Sequence, residues 1–289
     1  MVQNHPQNPN LPLSRRADAA GPRAAGTRCD LAGDLVSGEI PGPPLVLLHA
    51  FPLDRSLWRD VIAYLEGRAP VLALDLPGLG ASACPEEEPD LDLAADAVVT
   101  CLDRLGRRRA VVAGVSMGGY VAMAIARRHR DRLAGIALID TRPDADGEQA
   151  RSVRLRMAQA VTSPVGTRAL SPMVSGLLGT TSRRERPDLV RRIEDLLRQA
   201  PPPGVAWSQR AMARRGDSWE LLAGLDLPAA VVVGAEDELS GPDVARGMAA
   251  ALPDCVLTVV DGAGHLSPME APRRVADALT ALMVRVGPR

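Results

Sequence analysis

Lysine is missing from this chain. All 34 basic residues among the 289 are arginine, which excludes a Schiff-base lysine, a pyridoxal-phosphate anchor and the lysine of a phosphate-binding P-loop. Aromatic side chains are scarce: Phe51, Tyr64, Tyr120, Trp58, Trp207 and Trp219 make up the whole set. The core must therefore be built from Leu, Val, Ala, Ile and Met, and any pocket has few rings for stacking. Charge of one sign is also lacking. A net charge of −1 offers no footprint for nucleic acid and no basic surface for an anionic membrane. No apolar run reaches the roughly 18 residues of a spanning helix, so a soluble protein is expected. Cys29, Cys84, Cys101 and Cys255 form no CxxC pair and have no histidine at metal-ligand spacing. They read as reduced thiols in a cytoplasmic protein without a metal. Arg15 and Arg16 are followed by no apolar stretch, so no secretory or twin-arginine leader is expected.

What is present is ordinary globular composition, 46% hydrophobic and 24% charged, with a clear rhythm. Residues 1–26 are rich in Pro, Asn, Gln, Arg and Ala without periodicity and read as a flexible tail. Short, nearly continuous apolar runs follow at 44–49, 70–75, 110–115, 133–140, 229–234 and 255–260, as expected of strands covered on both faces. Helical patterns separate them at about 56–66, 91–105, 117–129, 242–251 and 273–286. Strand and helix in alternation predict an α/β fold with a mostly parallel, doubly wound sheet. A hairpin within 27–39 is the candidate for antiparallel edge strands. The rhythm stops between Thr141 and Asp217, where amphipathic patches such as 148–161 and 187–198 occur without a strand and Pro201-Pro202-Pro203-Gly204 punctuates the chain. The expected organisation is a core of 27–140 and 217–289 interrupted by an inserted helical lid, 141–216.

The chemistry centres on Gly114-Val115-Ser116-Met117-Gly118-Gly119, a G-x-S-x-G sequence that follows an apolar strand and opens a helix. Glycines two residues before and after the serine leave room for a sharp turn, which would hold its hydroxyl at the positive end of the helix beside free backbone N–H groups. Serine at neutral pH is a poor nucleophile without a base. Of the four histidines, His5 lies in the tail, His129 sits among arginines at a helix end, and His49 closes a strand. His265, in the glycine-rich stretch Gly262-Ala263-Gly264-His265-Leu266, is the candidate base. Asp237, three residues beyond the 229–234 strand, is the candidate acid that orients the imidazole. Glu236, Glu238 and Asp140, the last at the end of the preceding strand, compete for that role.

These pieces, with Leu47-Leu48-His49-Ala50-Phe51-Pro52, Asp75-Leu76-Pro77-Gly78-Leu79-Gly80 and the continuation Ser267-Pro268-Met269-Glu270, occur in the order serine, aspartate, histidine. From about Cys29 to the C-terminus the chain resembles the α/β-hydrolase superfamily. The resemblance implies an oxyanion hole from the backbone N–H groups of Phe51 and Met117, with His49 bracing the Phe51 loop. The family pattern has Gly after this histidine, and here the residue is Ala50.

Residue types narrow the comparison. Serine rather than aspartate at the elbow, no tyrosine in the insertion, Leu266 rather than Trp after the histidine and Met117 rather than Trp at the elbow set aside several relatives. What remains resembles small bacterial carboxylesterases, enol-lactonases and cofactor-free perhydrolases. The expected activity is hydrolysis of a small carboxylic ester or lactone through an acyl-serine, with no cofactor. Phe51, Met117, Trp207 and Leu266 are candidates for the pocket wall. Arg142 is read either as a binder of a substrate carboxylate or as an ion-paired surface arginine. Perhydrolysis, a non-hydrolytic tailoring reaction and a small-molecule receptor on the same fold are the alternatives. Both a monomer and a homodimer are compatible with the sequence.

Overall fold

The computed structural model describes residues 31–36, 42–65 and 67–287. The expected tail, 1–26, lies outside the described residues. The apolar runs form β1 (Gly33–Val36), β2 (Leu45–Leu48), β3 (Val71–Leu74), β4 (Ala110–Val115), β5 (Leu133–Ile139), β6 (Ala229–Gly234) and β7 (Cys255–Val260). They make one seven-stranded sheet in the order β1-β3-β2-β4-β5-β6-β7. β1 runs antiparallel to β3, and all other neighbours are parallel. Every residue of β2 through β6 is buried. This explains why these strands read as continuous apolar runs rather than alternating ones.

Parallel neighbours require crossovers, and the periodic segments supply them. α1 (Arg59–Leu65) joins β2 to β3, α2 (Leu91–Arg104) joins β3 to β4, and α3 (Met117–Arg128) joins β4 to β5. Asp90 caps α2 by accepting the Asp92 N–H at 2.9 Å, which satisfies one orphan donor of its first turn. Between β5 and β6 the chain forms helices and no strand: α4 (Glu148–Val161), α5 (Val174–Leu177), α6 (Thr180–Glu185), α7 (Pro187–Gln199), α8 (Pro202–Arg214) and α9 (Trp219–Ala223). α7 buries Leu189, Ile193 and Leu197, a stripe at i, i+4 and i+8 that fixes which face turns inward. α10 (Pro242–Ala251) joins β6 to β7, and α11 (Ser267–Glu270) and α12 (Pro272–Val286) complete the chain. Among the described residues no helix is long and apolar enough to cross a membrane, and no disulfide joins Cys84, Cys101 or Cys255.

Among the described residues the antiparallel edge is β1, paired with β3; the rest of the segment expected to form a hairpin, 27–30 and 37–39, lies outside the described residues. Two expectations need correction. β7 is not covered on both faces. It is the last strand in the sheet, and most of its residues are only partly buried, with Val256 exposed. Its Val, Leu and Thr reflect preference for a pleated surface, which an edge strand shares with a central one. The Pro201–Gly204 run does not merely interrupt the insertion but opens α8, with Pro202 in the first turn, where a missing N–H costs nothing.

Two features of this topology position the site. The sheet grows outward in opposite directions from β2 and β4, and the crevice between their C-terminal ends is a topological switch point. The registers Leu48↔Gly114, Val115↔Ile139 and Gly234↔Val260 bring the C-terminal ends of five strands to a common edge. α8 then crosses the loop after β3 with backbone on backbone, since a Cβ on Gly204 would collide with the Gly78 carbonyl. The Trp207 indole secures the same approach by donating to the Glu87 carbonyl at 3.3 Å. Gly204→Ala is expected to overpack this contact and lower stability by about 1–3 kcal/mol. Thermal unfolding checks it, with Gly147→Ala as the neutral control because a Cβ there meets nothing within 4 Å.

Candidate active site

Ser116 stands between β4 and α3 with φ 52° and ψ −111°, a backbone region that L-residues enter only under constraint. The constraint is visible on all sides. Its N–H donates to the Ile139 carbonyl at 2.9 Å, and its carbonyl accepts the Gly119 N–H at 2.9 Å and the Thr141 hydroxyl at 2.8 Å. A Cβ on Gly114 would collide with the Gly118 carbonyl, and one on Gly118 with the Leu48 carbonyl. The elbow glycines thus permit two close approaches: the strand against its own helix, and the first turn of α3 against the end of β2.

The His265 ring lies against this serine. Nε2 is 2.8 Å from Ser116 Oγ, and Nδ1 is 3.0 Å from each carboxylate oxygen of Asp237. An ionised Asp237 can only accept, so Nδ1 carries the proton and Nε2 presents its lone pair to the hydroxyl. Asp237 also accepts the Leu239 N–H at 2.8 Å and the Ser240 N–H at 3.1 Å. Both side chains are buried. Burial disfavours the charge on Asp237, but the hydrogen bond and charge of His265 outweigh it and hold the carboxyl below its usual range. Burial likewise acts to lower the imidazole; the hydrogen bond and charge of Asp237, with Asp140 and Glu270 adding, reverse it and set the ring above its ordinary value. Asp140 is not the partner of His265 Nδ1. It lies behind the pair, fully buried, and burial together with the charge of Asp237 pushes its carboxyl up to about 7.

Two carboxylates to which the sequence reading assigned no such part hold the loops. Glu270 accepts the N–H groups of Gly264 at 2.9 Å and Leu266 at 3.2 Å, on either side of His265, and that of Gly179 at 2.8 Å. Glu236, considered only as a competing acid, turns away from the imidazole and accepts from the Thr181 N–H at 2.8 Å and hydroxyl at 2.6 Å. The Thr181 hydroxyl and N–H hold the Glu236 carboxyl below its usual range. The helical segment between β5 and β6 is therefore fastened at Gly179–Thr181 to the loops carrying His265 and Asp237. Sequence proximity to His265 was the available signal for Glu270; which backbone groups its side chain meets depends on the fold.

His49 is fully buried. Its Nε2 accepts the Leu76 N–H at 2.9 Å, and its Nδ1 donates to the Ala50 carbonyl at 3.0 Å. The ring ties the Phe51 turn to the end of β3, and burial lowers its pKa. Phe51, Met117, Trp207 and Leu266 are all buried, Phe51 following β2 and Met117 opening α3. Arg142 is paired with Asp144 at 3.1 Å and lines a recess with Tyr120, Arg127 and Arg215 that does not include Ser116. His129 bonds Asp96 at 2.6 Å, between α3 and α2. Among the described residues no group of three His, Cys, Asp or Glu side chains is placed to hold a metal. Glu270→Gln leaves one acceptor oxygen where two served three N–H groups. It is expected to cost about 1–3 kcal/mol for the donor left unsatisfied, read by thermal unfolding, with faster amide exchange at Gly179.

Comparison with known proteins agrees with this architecture. A family model described as the alpha/beta hydrolase fold matches residues 43–272. The dihydrolipoyllysine-residue acetyltransferase component of the acetoin cleaving system of Pseudomonas putida is 31% identical over 252 residues, covering 84% of this chain; the match spans 64% of that protein, under two thirds of its length. A thermophilic esterase from Thermogutta terrifontis, solved with malate bound, superposes with a TM-score of 0.84 at 36% identity, covering 89% of this chain and 94% of that one. The enol-lactonase from Burkholderia xenovorans LB400 gives a TM-score of 0.76 at 26% identity, covering 89% and 96%. A seven-stranded sheet with one antiparallel edge, a serine turn between β4 and α3, and a family match across most of its length identify the chain as a member of the α/β-hydrolase-fold family.

Proposed function

We propose that this protein hydrolyses a small carboxylic ester or lactone through an acyl-Ser116 intermediate. One observation carries the reading: the hydrogen-bonded line from Ser116 Oγ to His265 Nε2 at 2.8 Å and from His265 Nδ1 to Asp237 at 3.0 Å. Likeness to an esterase at 36% identity and to an enol-lactonase at 26% supports ester bonds as the target.

In the first half-reaction His265 Nε2 takes the hydroxyl proton as Ser116 Oγ attacks the substrate carbonyl carbon, and the π electrons move to oxygen. Asp237 stays ionised and stabilises the imidazolium it faces. The developing alkoxide is received by the N–H groups of Phe51 and Met117. Met117 opens α3, so its N–H is one of the orphan donors of a helix start, and the close approach of Gly118 to the Leu48 carbonyl supports a shared pocket for the two donors. Such donors contribute on the order of 3 kcal/mol each. Collapse breaks the ester C–O bond, and His265 returns its proton to the leaving alkoxide. For a lactone that alkoxide remains tethered to the acyl group. Water, deprotonated by His265, then attacks the acyl carbon and releases the acid and the Ser116 hydroxyl.

Phe51, Met117, Trp207 and Leu266 form the apolar wall in this reading. Residues 141–216 act as a lid on the core of 27–140 and 217–289. The emergence of this segment beside Ser116, at the end of β5, and its fastening to the His265 and Asp237 loops support that role.

Ser116→Ala and His265→Ala are each expected to lower kcat by on the order of 10⁴-fold or more with folding intact, measured on short-chain p-nitrophenyl esters. A fluorophosphonate should label Ser116 alone. Since His265 must be neutral to act as base and its pKa is raised, kcat/KM should fall as pH drops through a limb lying above the ordinary histidine value of about 6.5. Near-full turnover in either variant, or ligand binding without turnover in the unmodified protein, overturns the reading.

A further inference from the structure

The end of β5 lies between the strand that carries Ser116 and the strand that precedes Asp237. Two consecutive residues there touch the segments that carry Ser116, Asp237 and His265. Thr141 donates to the Ser116 carbonyl. The Asp140 carbonyl accepts the Ser240 hydroxyl at 3.3 Å, and Ser240 in turn donates its N–H to Asp237. The Asp140 carboxylate has one oxygen on the Gly234 N–H and the other on the Ser267 N–H, each at 2.9 Å. Gly234 ends the strand before Asp237, and Ser267 is two residues past His265. Asp140 itself holds a positive φ of 43°, which aspartate tolerates better than most residues. Burying a carboxylate completely is costly unless it is hydrogen-bonded, and the two N–H groups supply the bonds that let this side chain stay enclosed.

We propose that Asp140 is a positioning residue for the reaction, a buried clasp that sets the His265 loop against the Asp237 loop. The proposal rests on the acyl-serine reading above. Its geometric part is the two-sided carboxylate, which fixes the separation of loops arising from different strands. Its electrostatic part follows from the groups facing the ring: Asp237 through the hydrogen bond, and Asp140 and Glu270 through charge, all favour the imidazolium. Asp140 is faced in turn by Asp237, which opposes its ionisation, and by His265 and the Ser267 and Gly234 N–H groups, which favour it.

The test is Asp140→Asn, which keeps the shape, removes the charge and leaves one acceptor for two N–H groups. A displacement of about 1 Å at the reacting groups costs on the order of 10²-fold, so kcat on a p-nitrophenyl ester should fall by about that factor with KM little changed. Where the Asp140 carboxyl is ionised it supports the imidazolium, so removing it should move the acid limb of kcat/KM to lower pH. Asp140→Gly, whose backbone accepts positive φ, removes the clasp entirely and should lower kcat further with the limb moved the same way. NMR titration of ring-¹⁵N-labelled His265 reads the pKa change without any substrate. A downward movement there in either folded variant supports the clasp even if no tested ester is turned over, which would count against the hydrolase reading alone. An unmoved His265 titration together with a kcat within about twofold of the unmodified enzyme, below the loss a misplaced base produces, overturns the proposal.

Discussion

The hydrogen bond from Ser116 Oγ to His265 Nε2 spans 149 positions of the chain. Neither side chain can find the other through local structure, and the loop-closure entropy of so distant a contact must be offset elsewhere. The sheet provides that offset. β2 through β6 bury every residue, and the parallel register aligns their C-terminal ends, so the loops that leave them start from nearly fixed points. The strained serine turn persists because the carbonyl of Ile139, the hydroxyl of Thr141 and the start of α3 all hold it.

Backbone N–H groups captured by carboxylates form a second level of support. Asp237, Asp140, Glu236 and Glu270 each accept at least one main-chain N–H from the loops around the site. Charge-assisted bonds of this kind are shorter and stronger than neutral ones, and they orient a loop without adding bulk. Such a concentration of negative charge would be self-repelling if all four faced one another. The structure separates them: Glu236 and Glu270 reach the helical segment, Asp237 faces the imidazole, and Asp140 is enclosed behind it. Part of the repulsion that remains appears as the raised pKa of Asp140, after the larger effect of burial.

The arginine-only basic complement has a structural counterpart in the ion pairs and carbonyl contacts that tie elements together. Arg192 bridges α7 to Asp60 of α1 and to the Ser56 carbonyl, each at 2.9 Å. Arg215 pairs with Asp146 at 2.8 Å and stacks over Tyr120 at 4.2 Å from the ring centre. The planar guanidinium makes several directed bonds at once, which lysine cannot. With six aromatic residues in the chain, these contacts fasten the inserted helices where ring packing is sparse.

The sequence by itself determined the alternation of strands and helices, the strand-turn-helix context of Ser116, the isolation of His265 among four histidines and the order of the three site residues. Each of these is written in local pattern: apolar runs, glycine spacing and elimination by residue type. Strand order, the exposure of β7 and the opening of α8 at Pro202 were decided by tertiary structure, because edge and central strands share a composition and a proline that stops one helix can start the next. The same holds for the carboxylates. Asp140, Glu236 and Asp237 are alike in sequence terms, each an acid beyond an apolar strand. Only the placement of neighbouring loops decides that Asp237 meets the imidazole, Glu236 the Thr181 backbone, and Asp140 the Gly234 and Ser267 N–H groups, since a carboxylate's role follows from which donors lie within hydrogen-bond reach.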